Sequence, residues 1–424
     1  RQYKSTTKPE GVEDLGENDD TTKNFDANNN FYYCNGLPFA PSFSLYSEAT
    51  DTTYFEQPAK ATGNDRFDNA PNKDDWYETI KLNYGVDYCN PCGERTEHFD
   101  PIPSTWKKMT DILLFWARKG VDGFRCDMAE MVPSAFWTYA IKEVKNEFPY
   151  ILFIGEVYNP SLYDTYIQSG FDYLYDKVGM YDCVRGVIAG TRKPTEITKQ
   201  WQATDHIKNK MLYFLENHDE QRIASPFFAN DAEKGFPGVV VSSLLLPNPF
   251  MLYAGQELGE PGMDAEGFSG RDGRTTIFDY WGIDKLYRGY YKKNALTAQE
   301  KVIWDKYNAI LRIASKEKVV SVGSFFDLMY ANPLTSNFNS NSLYAFIRAY
   351  KQEVLLVVAN FSDLEMQCAI NIPRHAFEHL SLSEGQVNAV DLLTGETTFQ
   401  MFSPEKPFKV GIDPYGARVY KFTL

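Results

Sequence analysis

The feature that most constrains this chain is a set of three short strand-like segments that each end in an acidic side chain. The segments are GVDGFRCD (residues 120–127), FIGEVY (153–158) and FLENHDEQR (214–222). In each segment an apolar run breaks into a turn at a carboxylate, which is Asp127, Glu156 or Asp219. Carboxylates at the carboxyl ends of several separate strands are the arrangement in which β/α barrels carry catalytic groups. The pattern therefore predicts a barrel enzyme.

Strand and helix segments alternate from residue 104 to residue 317. The predicted strands are 121–127, 151–156, 171–176, 211–216 and 249–255, and the last predicted helix is 301–317. The spacing between strands leaves room for right-handed crossovers, so the sheet is predicted to be parallel. A closed (β/α)8 TIM barrel needs eight strands, whereas this pattern supplies five. We therefore expect an α/β fold with an N-terminally incomplete barrel, in a chain that begins partway through it.

Two further regions flank the barrel pattern. Residues 1–103 are polar and irregular, with one alternating segment at 77–88 that predicts a strand, and they are too long for a plain connection. We predict that they form an inserted subdomain. Residues 318–424 contain short alternating runs separated by Asn, Pro, Gly and Ser, which predicts a C-terminal antiparallel β-sandwich. The predicted domains are therefore 1–103, 104–317 and 318–424.

The charge of the chain limits its partners. The net charge is −14, which argues against nucleic acid and against an anionic membrane surface, and favours a neutral substrate. The chain has no apolar run of 18 or more residues, so a membrane-spanning helix is not expected. Six cysteines include one lone C-x-x-C pair, Cys89 and Cys92, which favours a local disulfide or idle thiols over zinc. The sequence is compatible with a periplasmic, extracellular or cytoplasmic location.

The three acidic segments can support glycoside hydrolysis. Arg125 and Asp127 are two apart on a strand and so point to the same face, where the guanidinium favours an ionised carboxylate suited to nucleophilic attack. Glu156 ends an apolar strand, which favours the protonated form required of a proton donor. Asp219 could stabilise positive charge on a sugar ring, and His218 could donate to a ring hydroxyl. Two carboxyl groups of opposite protonation suffice to cleave a glycosidic bond.

Each of these residues also has a purely structural interpretation. Arg125 and Asp127 could form a buried pair that tightens the sheet, and Glu156 could be an ordinary surface residue at a strand end. A single histidine such as His218 is more often a hydrogen-bonded structural residue than a catalyst. The recurrence of carboxylates at equivalent strand ends favours catalysis. Glu220 and Arg222 are expected to hold their loop rather than to contact substrate.

The same segments resemble a known family. GFRCD, FIGEVY and ENHDEQR are similar to the second, third and fourth sequence blocks of the alpha-amylase family of glycoside hydrolases, in the same order and with similar spacing. YAGQELG (253–259) resembles the block at the end of the eighth barrel strand, IKLN (80–83) the block in the inserted domain B, and PYGARVYKF (414–422) the end of the C-terminal sandwich. The resemblance covers nearly the whole chain and is strongest to bacterial amylase-type members.

This resemblance implies a role for each residue. It implies Asp127 as nucleophile, Glu156 as general acid and base, and Asp219 as transition-state stabiliser, with Arg125 and His218 in contact with substrate. It further implies a starch-like α-glucan or maltooligosaccharide substrate, cleavage of α-1,4 bonds, and retention of configuration through a covalent glycosyl-enzyme. No cofactor is expected for the chemistry.

One block of the family has no counterpart in this sequence. The first block contains an Asn that often binds a structural calcium, so a structural calcium is uncertain and the metal ligands are unknown, although the acidic insert could supply oxygen ligands. Aromatic candidates for stacking on sugar are Tyr158, Phe278, Tyr280 and Trp281, of which Tyr158 is the principal one. Two alternative functions stay open, which are a transglycosylase acting on α-glucans and a non-catalytic glucan-binding protein on the same fold.

Overall fold

The computed structural model describes residues 11–90, 92–262, 271–275, 282–292 and 295–424. The chain divides into two compact units. The first unit runs to Glu156 and also includes Leu162–Asp172, and the second consists of Val157–Ser161 and Tyr173–Leu424.

The amino-terminal part of the first unit is built mainly from loops. Its strands are two residues long and form two antiparallel pairs: β1 (Tyr46–Ser47) with β2 (Thr52–Thr53), and β3 (Val86–Asp87) with β4 (Thr96–Glu97). The predicted strand over residues 77–88 is therefore wrong, because only Val86–Asp87 is a strand and Leu82 makes an isolated bridge to Phe31. The alternating pattern has a different cause.

Two of the buried side chains in the segment 77–88 are polar, those of Lys81 and Asn83. Lys81 is 8% exposed and forms an ion pair with Asp65, and its ammonium lies 4.9 Å from the centre of the Tyr88 ring. Asn83 is fully buried, donates to the carbonyl of Asp26 at 2.9 Å and accepts from the Gly85 N–H at 2.8 Å. At Lys81 and Asn83 the two-residue period thus reflects buried polar residues that bind neighbouring loops, rather than an apolar strand face.

The rest of the first unit has strand–helix alternation. Its elements are α1 (Ser104–Arg118), β5 (Gly123–Cys126), α2 (Ser134–Glu147), β6 (Leu152–Gly155) and α3 (Tyr163–Gln168). β5 and β6 are parallel neighbours, with Gly123 opposite Leu152 and Cys126 opposite Gly155. A Cβ on Gly123 would lie 2.7 Å from the Leu152 carbonyl oxygen, so the strands approach this closely only because the residue is glycine. α2 buries the predicted apolar face, including Trp137, Ile141 and Val144.

Helix α1 differs from the sequence-based expectation in its buried face. In the sequence, the spacing of Met109, Ile112, Leu113 and Trp116 predicts an apolar helical stripe, but Ile112 and Trp116 are 43% and 52% exposed. The buried face instead contains Trp106, Thr110 and Ala117. Trp106 packs against aromatic rings of α2, with its centroid 5.9 Å from that of Phe136. Thr110 and Ala117 are small and are buried on the same helix. The spacing of large apolar residues does not predict this buried face.

The second unit begins with three parallel strands and their helices. The strands are β7 (Tyr173–Tyr175), β8 (Met211–Phe214) and β9 (Phe250–Met251), and β8 pairs with both of the others. The helices are α4 (Asp182–Ile188), α5 (Thr195–Ala203), α6 (Phe236–Leu244), α7 (Asp284–Tyr290), α8 (Ala298–Lys316) and α9 (Lys318–Val322). Every residue of α6 is buried. None of the helices in the described parts of the chain is long and apolar enough to cross a membrane.

The carboxyl-terminal part of the second unit is an antiparallel β structure. A six-stranded sheet has the order β10-β11-β12-β17-β14-β15, and a second pair joins β13 and β16. The strands are β10 (Ser324–Asp327), β11 (Leu343–Tyr350), β12 (Glu353–Asn360), β13 (Met366–Ile370), β14 (Gly385–Asp391), β15 (Thr397–Phe402), β16 (Phe408–Ile412) and β17 (Ala417–Thr423), and α10 (Arg374–Leu380) follows β13. Phe408 of β16 stacks on Phe422 of β17, with ring centroids 6.2 Å apart.

A buried arginine joins this sheet to the helices α6 and α9 of the same unit. Arg348 of β11 is fully buried and donates to four main-chain carbonyls, at 2.7–3.1 Å: Leu244, Leu245, Val320 and Gly323. These carbonyls lie at the carboxyl ends of α6 and α9, where helices leave acceptors unsatisfied. Burial lowers the pKa of the guanidinium to about 10, which leaves it charged at neutral pH.

The six cysteines carry no disulfide bond. Cys89 and Cys92 are both free thiols, as are the other four. Burial raises the pKa of the Cys89 thiol to about 12, so little thiolate is present at neutral pH. Of the two interpretations of this C-x-x-C pair, the structure has idle thiols.

Candidate active site

Arg125 and Asp127 are at the carboxyl end of β5. Arg125 lies within the strand, and Asp127 is the first residue after it. Their side chains point to the same side, and Arg125 Nη1 forms an ion pair with Asp127 Oδ1. The predicted pairing is confirmed. The Asp127 side chain is 72% exposed, so it is open to solvent and not a buried tie within the sheet.

Glu156 occupies the equivalent position at the end of β6. It is the first residue after the strand and is 3% exposed. Arg125 Nη2 lies 3.0 Å from Glu156 Oε1. One guanidinium therefore contacts both Asp127 and Glu156. The first unit brings together three of the residues that the sequence singles out.

The turn after β5 orients the Glu156 carboxyl. Met128 has a φ of 44°, in the left-handed region that few side chains adopt, and its N–H donates to Glu156 Oε2 at 2.8 Å. The Ala129 N–H donates to the Glu156 carbonyl, and the Glu156 N–H to the Cys126 carbonyl, both at 3.0 Å. Sequence reasoning missed the Met128 N–H, since a main-chain donor leaves no residue-type signal. Backbone strain of this kind is concentrated at functional sites.

His218 and Asp219 lie in the second unit, beyond the carboxyl end of β8. His218 Nε2 is 3.1 Å from Asp219 Oδ2, and both side chains are partly exposed. Asn217 is buried and its Oδ1 accepts from the N–H groups of Asp219 and Glu220, each at 2.9 Å. An Asn side chain that bonds the main chain two residues on fixes a tight turn. The turn presents His218 and Asp219 as a pair.

A buried ion pair between Arg222 and Glu216 holds this loop. Arg222 is fully buried and Glu216 is 2% exposed, and Arg222 Nη1 is 2.8 Å from Glu216 Oε2. Arg222 Nη2 also donates to the Ala254 carbonyl at 2.9 Å and to Thr275 Oγ1 at 3.0 Å. Burial raises the pKa of Glu216 above its usual value, and Arg222 opposes that rise. As predicted, Arg222 holds the loop.

Glu220 connects the same loop to the segment after β7. It accepts from the Tyr181 hydroxyl at 3.0 Å, and its other oxygen lies 3.2 Å from Lys177 Nζ. These contacts confirm that Glu220 is a loop-holding residue. Tyr158 is half-buried, with Lys177 Nζ 6.0 Å from its ring centre, which is close enough for a cation–π contact. Phe278, Tyr280 and Trp281 lie outside the described residues.

Asp176 is a further carboxylate at a strand end that the sequence analysis did not single out. It follows β7 directly and is 1% exposed. Its Oδ1 accepts from the Met180 N–H at 2.8 Å. Burial raises the pKa of Asp176 to about 6. The signal in FDYLYD is the one used for Asp127, namely a carboxylate at the end of an apolar run, so the same rule finds this residue when applied to every strand.

In the acidic insert, the carboxylates of Asp19 and Asp26 accept hydrogen bonds from protein donors. Asp19 uses both carboxylate oxygens to accept from the N–H of Asn30, at 2.8 and 2.9 Å, and Oδ2 also accepts from Phe31 and Tyr33. Asp26 accepts from Asn28 and Lys23. Calcium takes six to eight oxygen ligands, so a calcium in the insert stays a prediction. Over the described ranges, no group of three or more His, Cys, Asp or Glu side chains is placed to hold a metal.

Comparison with known proteins identifies the chain's family. The model of the alpha-amylase catalytic domain matches residues 102–310, which include β5 to β9 and every predicted catalytic residue. Residues 102–310 belong to the alpha-amylase family. Neopullulanase 2 of Thermoactinomyces vulgaris is 22% identical over 325 residues, which cover 76% of this chain and 48% of that protein. Alpha-amylase 3 of Dictyoglomus thermophilum is 24% identical over 282 residues, or 62% of this chain and 54% of the relative.

The fold agrees with solved structures of this family. A maltogenic alpha-amylase from Thermotoga neapolitana superposes with a TM-score of 0.56 at 17% identity, covering 78% of this chain and 69% of that one. The predicted fold class is confirmed, with parallel barrel strands followed by a C-terminal antiparallel β domain. This chain spans about half the length of the two curated relatives named above.

Proposed function

We propose that this alpha-amylase-family protein is a retaining glycoside hydrolase that cleaves α-1,4-glucosidic bonds in starch-like glucans or maltooligosaccharides. Asp127 is the nucleophile and Glu156 the general acid and base. Asp219 stabilises the transition state, and Arg125, His218 and Tyr158 contact the substrate. The family membership supports the substrate class, and the geometry of the first unit supports the assignment of the two working carboxyls.

The single observation that carries the proposal is the guanidinium shared by Asp127 and Glu156. Nη1 of Arg125 contacts one carboxylate and Nη2 the other. Two carboxylate oxygens on neighbouring nitrogens of one guanidinium favour the separation of about 5–5.5 Å found in retaining enzymes. An inverting enzyme needs about 6.5–9.5 Å to admit a water molecule between substrate and base.

The reaction then has two steps. Glu156 gives its proton to the glycosidic oxygen while Asp127 attacks the anomeric carbon, which breaks the glycosidic bond and forms a covalent glycosyl-enzyme. Glu156, now ionised, takes a proton from water, and the resulting hydroxide displaces Asp127 from the anomeric carbon. The Met128 N–H and Arg125 Nη2 hold the two Glu156 oxygens in position, one at Oε2 and the other at Oε1.

The residues of the second unit act on the sugar ring. The Asp219 carboxylate stabilises positive charge that develops on the ring in the transition state. His218, held 3.1 Å from Asp219, donates to a ring hydroxyl. Tyr158 offers an apolar ring face for stacking. Arg125 forms an ion pair with Asp127, the carboxylate that attacks.

The test compares Asp127→Asn and Glu156→Gln with a matched control, Glu143→Gln, which changes an exposed carboxylate on α2. Glu156→Gln is expected to lose about 10²–10⁴-fold in kcat/KM on maltooligosaccharides, because general acid–base catalysis typically contributes that much. Asp127→Asn is expected to lose nearly all turnover, because it removes the nucleophile. Glu143→Gln should keep the wild-type rate. Circular dichroism checks that all three proteins are folded.

A 4-nitrophenyl maltooligosaccharide separates the two roles. Its leaving group departs without protonation, so Glu156→Gln should form the glycosyl-enzyme at a nearly normal rate and then stall, giving a burst of nitrophenol. Asp127→Asn should give no burst. Wild-type turnover by either variant on maltooligosaccharides, or the same pre-steady-state trace for both, would contradict the assignment.

Two further measurements are the anomeric configuration of the first products and the transfer of the glycosyl unit to an added acceptor sugar. NMR of the first products should show the α-anomer, since two displacements retain configuration. Early β-anomer would reject the retaining mechanism. Added maltose should not divert most of the product into longer chains, whereas a transglycosylase would transfer the glycosyl unit to it.

A further inference from the structure

The second unit contains a cavity outside the proposed catalytic region. Its volume is about 540 Å³, within the range of about 300–1,000 Å³ typical of small-molecule sites. It lies among α5, the turn that leads into β8, β10 and α10. His218 and Asp219 follow the carboxyl end of β8, whereas the cavity residues Asp205 and Lys208 precede its amino end. The cavity is therefore at the opposite end of this strand from the loop of His218.

Aromatic side chains form much of the cavity wall. Trp201 and Phe325 meet edge to face, with ring centroids 5.0 Å apart at 81°. Phe326 packs against Tyr330, whose side chain is 62% exposed, with ring centroids 6.1 Å apart. His375 is exposed on α10 and lies edge-on to Phe326. The wall thus offers flat apolar faces to a ligand.

Asp327 fixes the orientation of the Trp201 indole. Its Oδ2 accepts from Trp201 Nε1 at 2.8 Å, from Thr198 Oγ1 at 2.7 Å and from the Tyr344 hydroxyl at 2.8 Å. Its Oδ1 accepts from the Met329 N–H at 2.7 Å. A ring held in this way loses little freedom when a ligand stacks on it, and preorganisation of this kind raises affinity.

Polar side chains surround the aromatic wall. Asp205 and Lys208 form an exposed ion pair at 2.7 Å, and Gln202 and His379 are exposed at the rim. Neutral donors and acceptors and a balanced ion pair suit a ligand with many hydroxyl groups. The described lining residues do not include a cluster of charges of one sign, which would indicate a charged ligand.

We propose that this cavity is a second binding site for a neutral oligosaccharide, separate from the catalytic residues. The chemical class follows from the cavity: ring faces on Trp201 and Tyr330, with hydroxyl-pairing groups around them. That the sugar is an α-glucan rests on the proposed function. The site holds a glucan chain on the protein without taking part in its cleavage.

The test uses native gel electrophoresis in soluble starch, where binding slows migration. Tyr330→Ala removes an exposed ring and is expected to weaken binding by about three- to tenfold, as the loss of one aromatic contact does. Phe399→Ala is the matched control, because Phe399 is 68% exposed on β15 of the same sheet and does not line the cavity. Trp201→Phe keeps a ring but loses the bond to Asp327, and it should give a smaller effect than Trp201→Ala.

The same variants are assayed for hydrolysis of a short maltooligosaccharide. Tyr330→Ala and Phe399→Ala should keep the wild-type kcat/KM on this substrate, because the cavity is not the place of cleavage. At a low starch concentration, Glu156→Gln should migrate as slowly as the wild-type protein. Added maltotriose should compete with the starch and restore the mobility of the protein. Unchanged retardation in both Tyr330→Ala and folded Trp201→Ala would overturn the proposal even if the protein hydrolyses glucans.

The outcomes also separate this site from the proposed function. If starch slows the protein in a Tyr330-dependent way but no glucan is hydrolysed, the binding site stands and the catalytic proposal fails. If Tyr330→Ala lowers kcat/KM on the short substrate as much as it lowers retardation, the cavity belongs to catalysis, and the claim of a separate site is refuted.

Discussion

Replacing Arg222 by methionine tests whether the buried pair with Glu216 holds the loop of His218 and Asp219. The variant keeps much of the apolar stem but removes the cation 2.8 Å from Glu216 Oε2, at a carboxylate that is only 2% exposed. Breaking one side of a buried pair leaves an uncompensated charge, which costs about 3–5 kcal/mol of unfolding free energy. For a domain of about 200 residues, about 2–4 °C per kcal/mol converts this into a fall in Tm of about 6–20 °C.

The destabilisation of Arg222→Met should also depend on pH. Burial already raises the pKa of Glu216 above 4.5, and Arg222 opposes that effect. Without Arg222 the pKa in the folded state rises further, so the folded state keeps a proton that the unfolded state has released. The stability of the variant therefore falls as pH increases from about 4.5 through the folded-state pKa. The gap to wild type should be larger at pH 8 than at pH 5.

Urea unfolding followed by circular dichroism at both pH values measures this gap. The double variant Glu216→Gln/Arg222→Met should recover a large part of the loss, because it no longer buries an unpaired charge. Arg374→Met is the control, since Arg374 makes exposed ion pairs with Glu384 and Glu405 and its loss should leave the midpoint unchanged within error. A pH-independent loss, or no recovery in the double variant, would refute the reasoning.

Two further predictions concern a buried acid and a close strand contact. Asp176→Asn should stabilise the protein above pH 6 by up to about 3 kcal/mol. The pKa of Asp176 is about 6 in the folded state and 3.8 in the unfolded state, so the wild-type protein loses stability as pH rises between these values. Equal slopes of stability against pH in the two proteins would contradict this prediction. Gly123→Ala should lower the unfolding free energy by about 1–3 kcal/mol, because its Cβ would lie 2.7 Å from the Leu152 carbonyl oxygen. Gly385→Ala, where nothing lies within 4 Å, is its control and should be neutral in thermal unfolding.

The sequence predicted the barrel strands well because their apolar runs are local signals. Each predicted strand is present with ends shifted by a few residues, and Asp127 and Glu156 follow β5 and β6 directly, where the pattern placed them. The pairing of Arg125 with Asp127 followed from the two-residue period alone. These are properties of neighbouring residues, and tertiary structure did not override them.

Sequence reasoning failed where distant parts of the chain meet. The alternation at 77–88 predicted a strand, but Lys81 and Asn83 are buried because Asp65 and Asp26 lie beside them in space. The Met128 N–H that orients Glu156 depends on a backbone angle, and the aromatic cavity depends on α5, β10 and α10 coming together. None of these partners is close in sequence, so no periodicity reveals them.

The position of Arg348 has a consequence for how this protein is divided or recombined. A chain ended before β11 would lose a cation that satisfies helix-end carbonyls of α6 in the barrel segment and of α9 after it. The six-stranded sheet therefore cannot be exchanged freely for the sheet of a relative. The replacement sheet would need an arginine guanidinium at the position of Arg348. Evolution and protein engineering must carry the two parts as a matched pair.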